Sequence, residues 1–82
     1  MLSRLKSGSR VVGAKQSRRA IAQGNASCVY LAMDADPQLT EPIQALCEAE
    51  NIPVETVPSM KELGAACGIS VGAAVATLLK EA

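Results

Sequence analysis

A chain of 82 residues supports one domain with a modest core, since a protein of this size buries only about 60–65% of the surface its unfolded form exposes. Tyr30 is the only aromatic residue and histidine is absent, which excludes a base-stacking platform of aromatic side chains and leaves no histidine for acid–base or metal chemistry. The formal net charge of +0 hides a separation of sign: residues 1–23 carry Arg4, Lys6, Arg10, Lys15, Arg18 and Arg19 with no acid, whereas residues 24–82 carry Lys61 and Lys80 against all eight acids. A basic end on an acidic body points to an oriented encounter with a polyanion, without strong long-range steering.

Cys28, Cys47 and Cys67 are odd in number, widely spaced and without a C-x-x-C pair. They read as small core hydrophobes in a reducing, cytoplasmic compartment, and no zinc site or other cofactor is expected. Residues 1–6 do not form a signal peptide, and no apolar run approaches the ~18 residues of a membrane span, so no membrane partner is expected. No internal repeat or linker divides residues 1–82, which form a single domain.

In chain order, residues 3–7 predict one or two helical turns with Leu2 and Leu5 inward, broken by Ser7-Gly8-Ser9. Arg10-Val11-Val12 predicts a short strand that hands over through Gly13 to a helix running to about Gln23 and stopping at Gly24-Asn25. At about 100° per residue, Lys15, Arg18 and Arg19 share one third of that helix, while Ala14, Ser17, Ala20, Ile21 and Gly24 fall opposite. Residues 27–33 are nearly all apolar, as in a strand covered on both faces. Asp34-Ala35-Asp36-Pro37 then stops the strand and starts a helix, with Asp36 or Thr40 as N-cap and Leu39, Ile43, Leu46 and Cys47 as its buried stripe. Asn51 and Pro53 end it. Val54-Glu55-Thr56-Val57 predicts a third strand. Ser59-Met60-Lys61-Glu62 is a capping box opening a helix with Leu63, Ala66 and Cys67 inward, and Gly68 stops it. Residues 73–79 are ambiguous between helix and strand by pattern, although Val75, Thr77 and Leu79 alternate and a fourth strand would complete the sheet. Strands alternating with helices predict an α/β sandwich: a central sheet of about four strands with helices on both faces.

Two features carry chemistry. The glycine at the strand-to-helix turn, the open N–H groups of the helix and Lys15, Arg18 and Arg19 together make up a phosphate site, against the plainer reading of a solvated basic face. The Ile69-Ser70-Val71-Gly72 loop places two apolar side chains between glycines, either as core anchors or as an exposed contact. In an alternating fold, the turn at Gly13 and the loop after Gly68 can lie at one end of the sheet, and a cationic helix tip beside an aliphatic loop suits a folded RNA with an extruded base. Enzyme chemistry finds little support: Asp34 and Asp36 read as capping and turn residues, and no nucleophile has a neighbouring base.

Four segments in register make the chain resemble the kink-turn-binding ribosomal protein family. They are Gly13-Ala14-Lys15-Gln16-Ser17-Arg18-Arg19-Ala20-Ile21, Leu31-Ala32-Met33-Asp34-Ala35-Asp36-Pro37, Val57-Pro58-Ser59-Met60-Lys61-Glu62-Leu63-Gly64 and Ala66-Cys67-Gly68-Ile69-Ser70-Val71-Gly72-Ala73-Ala74, and they span residues 11–79. The resemblance implies a three-layer α-β-α sandwich with a central, mostly four-stranded mixed sheet. It also implies a non-catalytic protein that stabilises kink-turns, helix–bulge–helix motifs with tandem sheared G·A pairs, in ribosomal RNA or a riboswitch, and so associates with the ribosome. Gly13, Ala14, Lys15, Gln16 and Arg19 match the signature that opens the family's second helix and enters the groove at the G·A pairs. Ile69, Ser70, Val71 and Gly72 match the loop that packs on the flipped-out nucleotide, and Arg18 joins the set from the helical stripe. Archaeal members carry Asn-Glu where this chain has Lys15-Gln16, a version similar to that of small bacterial paralogues, so weaker discrimination at the G·A pairs is expected. Relative to larger members, the first helix is short and no helix follows the fourth strand. Some relatives with this sandwich bind proteins, which makes a protein-interaction module the rival expectation.

Overall fold

The computed structural model describes residues 9–80; the helical turns expected in residues 3–7 lie outside them. The elements are β1 (Arg10–Val12), α1 (Ala14–Ala22), β2 (Ala26–Ala32), α2 (Pro37–Ala49), β3 (Val54–Val57), α3 (Met60–Ala66) and β4 (Val75–Leu79). They build one mixed sheet in the order β1-β4-β2-β3. β4 pairs antiparallel with both β1 and β2, and β2 pairs parallel with β3. Thr77 at the centre faces Val11 on one side and Val29 on the other.

Two aliphatic cores lie on opposite faces of the sheet, giving the three-layer α-β-α sandwich. On one face Ile21 of α1 and Ile43 and Cys47 of α2 meet Val29, Leu31 and Val75. On the other, Leu63 and Cys67 of the α3 segment cover Tyr30, Val57, Ala76 and Leu78. The ambiguity over residues 73–79 resolves to a strand because its backbone bonds to two neighbours. Its alternation separates two cores, not core from solvent: Val75, Ala76, Thr77 and Leu78 are all buried, and Leu79 at the end is half-buried.

Local chemistry sets the helix limits. Asp36 is the N-cap of α2, its side chain accepting from the Gln38 N–H at 2.9 Å, with Pro37 in the first turn. Thr40 and Pro42 therefore fall inside the helix, where Pro42 contributes no N–H to the ladder. Ser59 caps α3 through the Glu62 N–H at 3.1 Å. All three helices end alike, with a left-handed residue at Gly24, Asn51 and Gly68. The next N–H returns to a carbonyl in the last turn: Asn25 to Ala20, Ile52 to Cys47 and Ile69 to Gly64.

The stripe of α1 holds over Ser17, Ala20 and Ile21, which are buried, and Ala14, which is half-buried; Gly24 lies past the end of the helix and is exposed. That of α2 needs one correction: Leu39 is 47% exposed. It sits in the first turn, at a surface groove between α2 and α1, and the buried part of the helix begins one turn later at Ile43. Strand β2 ends one residue earlier than the apolar run, and Met33 is 70% exposed in the turn that follows. All three cysteines are free and buried, and burial pushes their thiols above the usual range. No described helix is long and apolar enough to cross a membrane.

The hydroxyls of Thr77 and Ser17 are fully buried without a hydrogen-bond partner. An unpaired buried hydroxyl costs about 1–3 kcal/mol, and valine has nearly the shape of threonine. Thr77→Val should therefore raise stability by about 1 kcal/mol, read as a higher urea midpoint at unchanged slope; a lower midpoint would mean that the hydroxyl is satisfied.

Candidate nucleic-acid interface

The strand directions place the site. Because β4 is antiparallel to β1 and to β2, and β3 is parallel to β2, strands β1, β2 and β3 all point the same way. Each is followed by a helix, so all three helices start at one end of the sheet, the end at which β4 begins. The turn at Gly13, the turn at residues 33–36, the start of α3 and the last part of the 69–74 loop, where Gly72 and Ala73 lie against Met60, therefore meet there. The Gly13 N–H donates to the Val75 carbonyl at 2.8 Å, which ties the start of α1 to the first residue of β4, three residues beyond Gly72.

The three helix starts differ in one respect. At α2 the Asp36 carboxylate occupies the first turn. At α3 the Ser59 hydroxyl takes the Glu62 N–H, and the Asp34 carboxylate accepts from the Met60 N–H at 2.8 Å. Asp34 and Asp36 thus act as capping and turn residues. Gly13, by contrast, has no side chain to cap α1, and the first turn of α1 contains no acid. The first N–H groups of α1 and the positive end of its dipole are left open to a ligand. Gly13 adopts φ 105°, a conformation that side chains strongly disfavour, and no neighbouring atom lies within 4 Å of the position its Cβ would take.

Lys15, Gln16, Arg18 and Arg19 are exposed, and Ala14 is half-buried beneath them. The basic residues divide, however. Lys15 and Arg19, one turn apart, lie on the side of α1 turned away from its buried Ser17 and Ala20. Arg18 lines the groove toward α2 with Ala14, Gln38, Leu39, Pro42 and Ile43. The loop pair also divides: Ile69 is half-buried against the core on the α3 face, whereas Val71 is 68% exposed. Ser70 and Gly72 are exposed beside it. One apolar residue of the loop is an anchor, and the other is left exposed.

Sequence reasoning missed three features. Met33 is exposed at this same end, hidden in the pattern because it continues an apolar strand. Arg10, counted with the basic end, donates instead to the Cys67 carbonyl at the C-terminus of α3. Gly64 has a role that its place inside a helix does not reveal: a Cβ there would lie 2.0 Å from the Val71 carbonyl oxygen and 3.2 Å from the Gly72 Cα. The loop rests on the bare backbone of α3. It is held there by the Ile69 N–H to the Gly64 carbonyl at 3.1 Å and the Ala73 N–H to the Met60 carbonyl at 3.0 Å. Glycine followed four residues later by another glycine and then by an apolar loop is the signal that could have pointed to this packing.

The arrangement offers open amides, three cations and an apolar knob. Tyr30, the only aromatic, is 1% exposed and cannot stack on a base. Among the described residues no group of three His, Cys, Asp or Glu is placed to hold a metal ion.

Comparison with known proteins points to one family and one fold. The profile of the ribosomal protein L7Ae/L30e/S12e/Gadd45 family matches residues 2–82. The chain is 43% identical over 76 residues to an RNA-binding protein of Geobacillus sp. strain WCH70, covering 93% of each. It is 45% identical over 76 residues to the RNA-binding protein YbxF of Geobacillus stearothermophilus, again 93% of each. Among solved structures, the Giardia lamblia 15.5kD RNA binding protein superposes with a TM-score of 0.91 at 30% identity, over 98% of this chain and 71% of that one.

Alanine at position 64 separates helix propensity from packing. In an unobstructed helix Gly→Ala stabilises by up to about 1 kcal/mol. Here the new methyl meets the backbone of Val71, so Gly64→Ala should destabilise by about 1–3 kcal/mol, as overpacking does, and should shift the amide resonances of residues 69–73. A stabilised variant with an unmoved loop would contradict the contact.

Proposed function

The chain belongs to the ribosomal protein L7Ae/L30e/S12e/Gadd45 family, and on that premise we propose that it is a non-catalytic, cytoplasmic RNA-binding protein that recognises and stabilises kink-turns in structured RNA, associated with the ribosome. The observation that carries the reading is the uncapped start of α1, bonded at Gly13 to the first residue of β4, the strand that the exposed Val71 loop leads into. The relatives named as RNA-binding proteins support the polyanion partner.

In this reading the α1 tip enters the groove opened by the sheared G·A pairs, where the glycine at position 13 lets the RNA backbone come close. Lys15 donates to guanine O6 and N7 or to a phosphate, and the Gln16 carbonyl accepts from a guanine amino group. Arg19 binds phosphate along the outer face of α1, and Arg18 does so on the side toward α2. Val71 covers the extruded base, with Ile69 beneath it and Ser70 and Gly72 shaping the loop. The surface fits only the bent RNA, so binding draws the population toward the kink. With Lys15-Gln16 in place of Asn-Glu, no carboxylate accepts from the guanine amino groups, and discrimination at the G·A pairs weakens.

The test is titration of the protein into a kink-turn duplex labelled at both ends, reading energy transfer, beside a control whose G·A pairs are replaced by Watson–Crick pairs. Bending of the kink-turn alone is expected, with affinity about tenfold or more lower in Lys15→Ala/Arg19→Ala and falling steeply with salt as counterions are released. No bending of either duplex at micromolar protein would refute the reading and favour a protein partner for the Val71 loop.

A further inference from the structure

β1, only three residues long, holds more of the proposed RNA surface than its size suggests. Its last residue leads through Gly13 into the α1 tip. Its backbone fixes the exit of the Val71 loop, since Val12 pairs with Ala76 and the Gly13 N–H donates to the Val75 carbonyl. Its first residue reaches the entry of the same loop: the Arg10 guanidinium donates through Nη2 to the Cys67 carbonyl, the residue before Gly68 and Ile69. Val12 packs into the core on the α3 face, and alternation along the strand puts Arg10 on that face too.

The chemistry suits this position. Cys67 is the C-cap of α3, where carbonyls have no helical partner and the negative end of the dipole favours a cation. The Arg10 side chain is half-buried, with its Nε buried and unpartnered. It stands within 3.8 Å of where a Cβ on Gly68 would be. An arginine held in this way is withdrawn from the cationic surface formed by Lys15, Arg18 and Arg19.

We infer that Arg10 is a positioning residue for RNA binding: by bonding the Cys67 carbonyl it ties the entry of the Val71 loop to the strand that carries the α1 tip, and so keeps the two halves of the surface in one geometry. Its effect on RNA rests on the kink-turn reading above. Arg10 acts without touching a phosphate, which sets it apart from every other cation assigned to the site.

Arg10→Met keeps the buried stem and removes the charge and the donors; Arg10→Lys keeps the charge and one donor. Two measurements are made on each full-length chain: amide hydrogen exchange of the free protein, and kink-turn affinity as a function of salt. For Arg10→Met the expected result is faster exchange confined to residues 68–73. Affinity should fall about tenfold, with the slope of log affinity against log salt unchanged, whereas a lost phosphate contact lowers that slope by about 0.7–0.9. Arg10→Lys should recover part of both effects. Unchanged affinity, a smaller salt slope, or faster exchange spread over the whole sheet would each overturn the inference. If Arg10→Met does not fold, Arg10→Lys decides: an unaltered loop and affinity overturn the inference, and an intermediate loss of both supports it. If the unmutated chain does not bend the kink-turn, the functional reading falls separately. The exchange of the Ile69 amide in Arg10→Met then decides whether Arg10 orders the loop.

Discussion

The pairing of β4 between β1 and β2 is the constraint on which the rest of the structure depends. A strand that is antiparallel to both neighbours forces them to run in the same direction, and β3 follows β2 in parallel. Every helix that succeeds one of these strands must therefore begin at the same end of the sheet. Three positive dipole ends converge there, and two of them are occupied by the protein's own oxygens from Asp34, Asp36 and Ser59. Only α1 begins at a residue with no side chain to offer. One open, positively polarised helix start thus follows from topology together with the missing cap.

Backbone proximity does most of the shaping at this end. The loop of residues 69–72 lies on α3 without an intervening side chain, because residue 64 is glycine and the loop carbonyl occupies the space of a Cβ. Such contact suits a core of alanine, valine, cysteine and leucine, in which layers approach closely and the loop has little freedom to adjust. Apolar contact with RNA must then come from aliphatic side chains, since the tyrosine is enclosed between sheet and helix. Val71 is such a side chain, and it is exposed, as are Met33 and Met60. An aliphatic surface covers a base by shape and exclusion of water, not by the face-to-face stacking that sequence-tolerant single-strand binders use.

The separation of charge acquires a structural meaning. Of the described cations before residue 24, Lys15, Arg18 and Arg19 are exposed on α1 and available to phosphate, whereas Arg10 is turned inward to a helix end. Glu41, Glu48 and Glu50 are exposed along α2 and at its end. The molecule can therefore remain neutral overall and still present one cationic edge, an arrangement that orients a polyanion at short range while salt screens the remainder.

Sequence by itself determined whatever local chemistry governs. The period of the α1 stripe placed Ser17, Ala20 and Ile21 inside and Lys15 and Arg19 outside, and Asp36, Ser59 and Gly68 marked helix limits through hydrogen bonds and φ values that depend on adjacent residues. The α/β architecture followed from the alternation of such elements, and the resemblance of four segments in register supplied the layer order and the candidate residues. Tertiary structure alone decided what depends on residues far apart in the chain. Residues 75–79 became strand only by pairing with two neighbours; Leu39 and Met33 became exposed because the surrounding elements leave them uncovered. Ile69 and Val71 parted into a core anchor and an exposed side chain according to where α3 lies beneath them. Arg10, indistinguishable in the sequence from the other cations of the basic end, was assigned to the Cys67 carbonyl because a hydrogen bond across 57 residues is set by the packing of β1 beside α3, which no local pattern encodes.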